Sequence, residues 1–436
     1  MRTHRQGTDG ARTGRTRIAT AAVIVACAVG AADVLAAGGR ALRKTHRKTD
    51  GGAWVVTRIT TLSPFGKSVD WSARHDEILS ARMGWDTYYD VYRTKPDGTD
   101  FEFLTHDKPG CPQVQNGNPA WHPGGRYIVF TGQNPDMQLP ADLAWAAIPG
   151  SGIGHDLWLM DTETSAFHRL TEYVLQAPYR CVIHPQFSNA GDRIAWAERV
   201  ERGDSFGGGW VMKLADFVAQ TSDGAGPALT NVRTLTPGER SCFYEAHDFA
   251  PDDSRLLFSG DLQPGQPHVG LDIYSVNLKT GQLERLTHSD DDWDEHAHYS
   301  PDGRHIAWMS SQGLDVVYGS TQGKAWADYL KTELWIMDAD GGGKQQLTHF
   351  NTPGYPEYMD GARCVVSDSA WSPDGRRIVM CVASCHNEQW AVKLAMLELG
   401  EAANVRGQAS TQQGVPCFMP ALVVGLGVLV LQRTAR

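Results

Sequence analysis

The chain has 436 residues, of which 41% are hydrophobic and 9% aromatic, so it can bury a large core and is neither disordered nor collagen-like. Its net charge is -10, although its first fifty residues are basic, with ten Lys and Arg against three Asp. The acidic remainder excludes nucleic acid and an anionic membrane surface as partners, because both carry negative charge themselves.

Residues 1–37 have the pattern of an export signal. Basic residues between Arg12 and Arg17 precede an apolar run, Ile18–Ala32, that is too short for a membrane-spanning helix. Two forms of signal fit: a cleaved secretory peptide, or a lipoprotein signal in which Cys27, at the end of Ile-Val-Ala-Cys, carries the lipid. We therefore expect an exported protein, periplasmic or extracellular, that is lipid-anchored in the second case.

An internal repeat fills most of the chain. An aromatic residue, a turn signal and an apolar stretch recur six times at intervals of 50 to 72 residues. The six core aromatics are Trp71, Trp121, Phe187, Phe249, Tyr299 and Trp371. Five tails that end in Leu-Thr follow the first five cores, at Leu104–Thr105, Leu170–Thr171, Leu235–Thr236, Leu286–Thr287 and Leu347–Thr348.

Each repeat predicts four short antiparallel strands. Between core and tail, segments such as DLWLMD from Asp156 and ELWIMD from Glu333 supply a third strand, and the tail supplies the fourth. The last core has no tail of its own, but Val55–Thr60 matches the tail pattern and precedes the first core. We therefore predict an all-β, six-bladed propeller in which an N-terminal strand completes the last blade and removes the open sheet edges.

The repeats YSPDGRHIAW…ELWIMDADGGGKQQLT and AWSPDGRRIVM resemble those of TolB-type, WD40-like propellers. The resemblance covers residues 54–399 and implies one six-bladed propeller domain there. The role of TolB in the cell envelope is not carried over, since the resemblance is to the propeller only.

One face of such a propeller receives the link into each inner strand and the loop between the second and third strands. Long insertions fall on this face, at 133–154, 261–270 and 312–331, and they contain Trp145 and Trp326, with Trp293 in a third face loop. Exposed aromatics in such loops stack on sugars or anchor a protein. We favour a non-enzymatic, monomeric binding module for a protein or glycan ligand.

Polar residues also collect on this face, one to three positions before the core aromatics. We predict a polar ring around the channel mouth, formed by Asn118, His184, His247, His296, His298 and Asp368. In the first interpretation these side chains only hydrogen-bond the strand ends of neighbouring blades. In the second, His247, His296 and His298 with Asp294 bind a divalent metal, manganese, iron or zinc, since imidazole and carboxylate suit these ions.

The segments His184-Pro185-Gln186-Phe187, His247-Asp248-Phe249 and His296-Ala297-His298 are similar to the histidine pattern of oligogalacturonate lyase, another propeller of this type. The resemblance implies an alternative function, a manganese-dependent lyase acting on oligogalacturonate-type substrates with His184 as the base. The position of His298 relative to its core aromatic differs from the pattern of that family.

Six cysteines lie between Cys111 and Cys385, an even number in a protein expected to be exported. We predict disulfides, with Cys364 to Cys385 and Cys181 to Cys242 as the best pairs, and buried thiols as the alternative. Residues 400–436 predict a linker and a short apolar tail, Phe418–Leu431. Contact with a membrane is expected only through this tail or a lipid on Cys27.

Overall fold

The computed structural model describes residues 54–401, except 138, 140, 174–179, 202–208, 223, 239–241, 290 and 317–327. The predicted export signal, the C-terminal tail and Trp326 lie outside the described residues. Within the described ranges, no helix has the length and apolar character needed to cross a bilayer.

The strands form six antiparallel sheets of four strands each. They begin with β1 (Trp54–Ser63) and continue, in blades 1 and 2, as β2 (Lys67–Ser72), β3 (Glu77–Met83), β4 (Tyr89–Thr94), β5 (Glu102–Phe103), β6 (Asn116–Trp121), β7 (Tyr127–Gln133), β8 (His155–Asp161) and β9 (Ala166–Arg169). Blades 3 and 4 contain β10 (Cys181–Phe187), β11 (Arg193–Arg199), β12 (Trp210–Val218), β13 (Ala228–Leu235), β14 (Tyr244–Phe249), β15 (Arg255–Gly260), β16 (Asp272–Asn277) and β17 (Leu283–Arg285). Blades 5 and 6 contain β18 (Asp294–Tyr299), β19 (His305–Ser310), β20 (Glu333–Asp338), β21 (Gln345–Gln346), β22 (Arg363–Trp371), β23 (Arg377–His386) and β24 (Gln389–Glu401). A short 3-10 helix, Ala141–Ala147, lies between β7 and β8.

The N-terminal strand closes the ring as predicted. Strand β1 pairs antiparallel with β24, and the register places Val55 opposite Gly400 and Ile59 opposite Leu397. The inner strands contact one another in sequence around the axis, and β2 also contacts β22. The six-bladed, four-stranded architecture is therefore confirmed, and blade 6 is made from both ends of the described chain.

A repeated acid and threonine pair explains why the third strand and the Leu-Thr tail recur together. In blade 4, Thr287 Oγ1 donates to Asp272 Oδ1 at 3.1 Å and accepts the backbone N–H of Ile273 at 2.9 Å. The tail is thereby fixed to the start of the third strand. The same pair of bonds forms in three other blades, at Asp90 with Thr105, Asp156 with Thr171 and Glu333 with Thr348.

The core lies between adjacent sheets, where the repeated aromatics pack. Trp71, Trp121 and Trp371 are each less than a tenth exposed, and Trp308 is buried as well. These tryptophans belong to the hydrophobic core. Their burial follows from period-two alternation, which turns every second strand residue toward the neighbouring blade.

Asp70 links blade 1 to blade 2. Its Oδ2 accepts the backbone N–H of Trp121 at 2.6 Å, and its Oδ1 accepts that of Trp71 at 2.8 Å. Burial outweighs these bonds and raises the pKa of Asp70 from 3.8 to about 6. The folded state therefore binds this proton more tightly than the unfolded state does.

We expect this proton to make the folded protein more stable in acid. The contribution is complete below pH 3.8 and is lost as the pH rises through about 6. It amounts to at most about 3 kcal/mol, because one pKa unit corresponds to roughly 1.4 kcal/mol. Urea unfolding of wild type and Asp70→Asn at a series of pH values checks this. The unfolding free energy of wild type minus that of Asp70→Asn should fall as the pH rises from 3.8 to about 6. A difference that stays constant over this range would contradict the assignment.

The predicted disulfides are not present. No disulfide joins Cys111, Cys181, Cys242, Cys364, Cys381 or Cys385, all of them described and all buried. In the register of β22 with β23, Cys364 lies opposite Ser384 and Cys385 opposite Arg363, so the two cysteines are offset. Burial raises the pKa of Cys181 and of Cys364 to about 12, which keeps both thiols protonated. The alternative of buried thiols describes these residues.

Candidate metal centre at the channel mouth

Each inner strand breaks its register shortly before its core aromatic. The irregularities fall between Lys67 and Val69, Gly117 and Ala120, Ile183 and Gln186, Ala246 and Phe249, Glu295 and His298, and Val366 and Ser369. A β-bulge adds a residue to one strand and redirects its side chain. Four bulge residues have a positive φ, a conformation uncommon outside glycine: Ser68, Asn118, His184 and His296 at 52°, 46°, 50° and 53°.

The bulges bring distant side chains to one pocket at the mouth of the channel. The pocket is lined by residues from all six blades, namely Ser68, Val69, Asn118, Pro119, His184, Gln186, His247, His298 and Asp368. Strained backbone that is maintained by surrounding structure is typical of functional sites. The structure therefore brings together the polar ring that the sequence places before the core aromatics.

The first candidate ligand set joins blades 3, 5 and 6. Nδ1 of His184 lies 3.6 Å from Asp368 Oδ1, and Nδ1 of His296 lies 3.8 Å from the same oxygen. The two imidazole centroids are 5.0 Å apart. One ligand atom from each of the three residues lies within 4.8 Å of the others, and all three residues are buried.

The second set shares His296 and adds two residues of blade 4. Glu245, His247 and His296 also offer ligand atoms within 4.8 Å of one another. Glu245 Oε1 lies 3.7 Å from His296 Nδ1. The His247 ring is held by Ser259 Oγ, 2.6 Å from Nε2, and by the backbone N–H of His296, which donates to Nε2 at 3.2 Å.

Two carboxylate oxygens of this cluster accept no hydrogen bond, although Glu245 Oε1 lies 3.3 Å from His184 Nε2. Glu245 Oε1 and Glu295 Oε1 are buried and have no hydrogen-bond partner in the described part of the chain. Burial, together with the charges of Glu295 and Asp368, raises the pKa of Glu245 well above its usual value. A buried acceptor without a donor is costly. A bound cation would satisfy these oxygens.

Burial favours the neutral form of two imidazoles of the cluster, those of His184 and His247. Burial outweighs the opposing charge of Asp368 and lowers the pKa of His184 to about 3. Burial and the other histidines hold the pKa of His247 well below its usual range. A neutral imidazole is the form that binds a metal, because its nitrogen lone pair is not occupied by a proton. The residues present therefore fit a divalent ion.

Two of the residues predicted as ligands lie outside both sets. Asp294 is buried within blade 5, where it accepts a bond from Trp308 Nε1 at 3.1 Å. The next residue, Glu295, points to the other side of the strand and carries the unsatisfied oxygen. His298 lines the pocket, but its Nδ1 lies 3.9 Å from Asp248 Oδ2 and it belongs to neither set.

The carboxylates Glu245 and Glu295 are absent from the sequence-based prediction. A signal for Glu245 existed, because it precedes His247 by two residues on β14 and residues two apart face the same side of a strand. Glu295 lies directly before a bulge, where alternation fails. The direction of the Glu295 side chain could therefore not be predicted from period-two alternation.

The aromatics of this face are arranged differently from the prediction. Trp293 is only 3% exposed and belongs to the core, so its ring is not offered to a ligand. Trp145, in the 3-10 helix, packs partly buried against the same core. Trp85, which the sequence analysis does not single out, is 99% exposed in the loop between β3 and β4.

A third group of possible ligands lies at the edge of blade 1. It consists of Asp86, Asp90 and His106, of which Asp86 is exposed. Asp90 already bonds His106 Nδ1 at 2.9 Å and Thr105 Oγ1 at 2.8 Å. Its acceptors are therefore satisfied within the protein, unlike those of the channel mouth.

These features define a class of protein: a closed six-bladed β-propeller with a buried cluster of histidines and carboxylates at the mouth of its channel. No protein-family model and no curated protein matches the chain.

Comparison with solved structures gives similar propellers at low identity. The chain is similar to TolB from Acinetobacter baumannii, with 16% identity, a TM-score of 0.43 and coverage of 75% of this chain and 62% of that one. It is also similar to a putative TolB from Agrobacterium tumefaciens, with 15% identity, a TM-score of 0.41 and coverage of 69% and 94%. A gluconolactonase from Xanthomonas campestris gives 12% identity, a TM-score of 0.45 and coverage of 83% and 100%. The chain thus spans less than two thirds of the Acinetobacter protein.

Proposed function

We propose that this protein is an exported binding propeller whose channel mouth holds a divalent metal ion, and that the ion forms part of the site for a protein or glycan ligand. The observation that carries the proposal is the position of His296. It belongs to two overlapping sets of buried ligands, and it lies beside a carboxylate oxygen of Glu245 that has no donor.

The donor types point to a transition metal. Imidazole nitrogen with carboxylate oxygen suits manganese, iron or zinc, whereas calcium and magnesium prefer sites made entirely of oxygen. His296 would hold the ion together with either His184 and Asp368 or Glu245 and His247. When bound, such an ion acts as a Lewis acid toward a ligand oxygen.

Metal analysis tests the proposal. Protein stripped with chelator, reloaded with manganese, zinc or iron and dialysed should retain about one equivalent of a transition metal by mass spectrometry, as expected for a single coordination site. Asp86→Asn provides a control, since it changes the partly exposed group on blade 1 and should leave the metal content unchanged. Protein that retains no metal, or that loses its metal in Asp86→Asn, would contradict the proposal.

A metal-dependent lyase is the second candidate. It is favoured by one observation, the convergence of His184 and His296, whose rings are 5.0 Å apart. The pKa of His184, lowered by burial to about 3, makes this residue a better ligand than a base, since an efficient base has a pKa near the working pH. We therefore expect no ultraviolet signal of unsaturated product when metal-loaded protein is incubated with oligogalacturonate. A signal that disappears in His184→Ala would establish the lyase instead.

A further inference from the structure

Arg82, the next-to-last residue of β3, lies among three phenyl rings of blade 1. Its guanidinium carbon is 4.6 Å from the ring centre of Phe65, 5.4 Å from that of Phe101 and 5.7 Å from that of Phe103. Aromatic faces attract a cation at such distances. The rings therefore fix the position of the guanidinium group.

The protein itself holds the walls of this aromatic cage, Phe65, Phe101 and Phe103. The carbonyl oxygen of Phe65 accepts a hydrogen bond from the Tyr92 hydroxyl at 3.0 Å, and its backbone N–H donates to Ser63 Oγ at 3.2 Å. The rings of Phe101 and Phe103 are 4.9 Å apart and nearly perpendicular, at 84°. A site that is ordered before binding loses little conformational entropy when a ligand enters.

The guanidinium group has no acceptor in the described part of the chain. Nε of Arg82 is buried without a hydrogen-bond partner, and the side chain forms no ion pair there. Asp90 lies opposite Arg82 in the register of β3 with β4. Its oxygens are instead bonded to Thr105 and His106. An arginine carries five N–H donors, and donors left unused beside apolar rings are unfavourable.

One side of the cage is open to a ligand. Arg82 is only partly buried, and its terminal nitrogens, unlike Nε, are not buried atoms without a partner. Phe101 is 44% exposed. The planar pair of terminal nitrogens matches the two oxygens of a carboxylate, and a single guanidinium balances a single negative charge. The exposed ring offers an apolar surface to whatever group carries that carboxylate.

We propose that Arg82 and the aromatic cage bind the carboxylate of an apolar ligand, either a free organic acid or the carboxyl terminus of a peptide. The cage shares no residue with the two ligand sets of the channel mouth. This site is therefore independent of the proposed metal, and either proposal can fail without the other.

NMR titration of chelator-treated, full-length protein tests the site, since removal of metal prevents a carboxylate from binding at the channel mouth. The probes are benzoate, acetate, inorganic phosphate and the N-acetylated dipeptide alanyl-phenylalanine, used both as the free acid and as the amide. Arg82→Met retains the apolar stem and should weaken binding of benzoate and of the peptide acid by about tenfold or more. Arg82→Lys keeps the charge without the planar fork and should recover only part of this loss.

Two further variants separate the charge from the rings. Phe101→Ala removes the exposed ring and should weaken benzoate by about threefold or more while leaving acetate unchanged. It also tests the cage if Arg82→Met does not fold, which thermal unfolding reports. Arg233→Met is the matched control, because Arg233 is an exposed arginine on the outer strand of blade 3, and it should bind like wild type.

The order of affinities decides the outcome. Tighter binding of the peptide acid than of benzoate assigns a peptide terminus, and the reverse assigns a free organic acid. The site is refuted if no probe binds, if the amide binds as tightly as the acid, or if phosphate binds as tightly as benzoate. It is also refuted if folded Arg82→Met keeps the affinity of wild type or if Arg233→Met loses as much.

Discussion

Replacing His296 by alanine is expected to reduce metal affinity more than any other single substitution at the channel mouth. His296 is the one residue common to both candidate ligand sets. Loss of an outer-shell partner typically costs 10- to 100-fold in metal affinity, so loss of a shared ligand should cost at least about 100-fold. Competition with a fluorescent chelator measures the dissociation constants of wild type and His296→Ala.

Three further substitutions locate the ion. His298→Ala removes an imidazole that lines the pocket but belongs to neither ligand set. The metal affinity of this variant should therefore remain within about tenfold of wild type. His184→Ala and His247→Ala each disrupt one set, and the larger loss identifies the set that binds the ion. Equal losses in His296→Ala and His298→Ala would contradict the assignment, provided that both variants unfold at the temperature of wild type.

Introducing a carboxylate at Ile59 is expected to destabilise the whole propeller. Ile59 pairs with Leu397 and packs against the core cluster that contains Val366, Ile378 and Leu397. A charge on this partly buried side chain would lie against apolar groups without a partner, at a cost of about 3 kcal/mol. We expect this loss of stability to affect distant blades as well, because β1 closes the ring and its release exposes the edge of β24. Urea unfolding of Ile59→Asp, followed by tryptophan fluorescence, measures the effect.

Thr61 provides the matched control, since it lies on the same strand, pairs with Ala395 and is exposed. Thr61→Asp should change the unfolding free energy by no more than about 0.5 kcal/mol. If Ile59→Asp unfolds at the same urea concentration as Thr61→Asp, β1 does not contribute to closure, and the ring must be stable without it.

The repeat made the fold predictable from sequence. Each core aromatic, third strand and Leu-Thr tail is a local pattern, and its recurrence fixes the order of strands in a blade. The pairing of Val55–Thr60 with the final strand followed from counting, since one core lacked a tail. Local propensity and long-range closure therefore agree, as expected for a sequence that specifies one structure.

The ligand sets were only partly predictable. The histidines could be placed because they lie one to three positions before the core aromatics, and those positions meet at the pocket. The prediction grouped Asp294 with the histidines by proximity in sequence, whereas in the structure Asp294 accepts a bond from Trp308 and lies outside both ligand sets. Bulges depend on tertiary closure, and period-two patterning does not report them.

The cysteines show a second limit of prediction from the sequence. An even number of cysteines favours disulfides in exported proteins as a statistical tendency, but a disulfide requires a specific distance and orientation of two side chains. Those are set by strand register, which offsets Cys364 from Cys385. A large buried core also reduces the need for cross-links, and the six side chains pack as small apolar groups.

Anomalous X-ray diffraction from crystals of manganese- or zinc-loaded protein, collected on both sides of the absorption edge of the metal, tests the central proposal most directly. The proposal predicts one anomalous peak beside His296, within coordination distance of either His184 and Asp368 or Glu245 and His247. A crystal of fully loaded protein whose peak lies at Asp86, Asp90 and His106, or that shows no peak at the channel mouth, would contradict it.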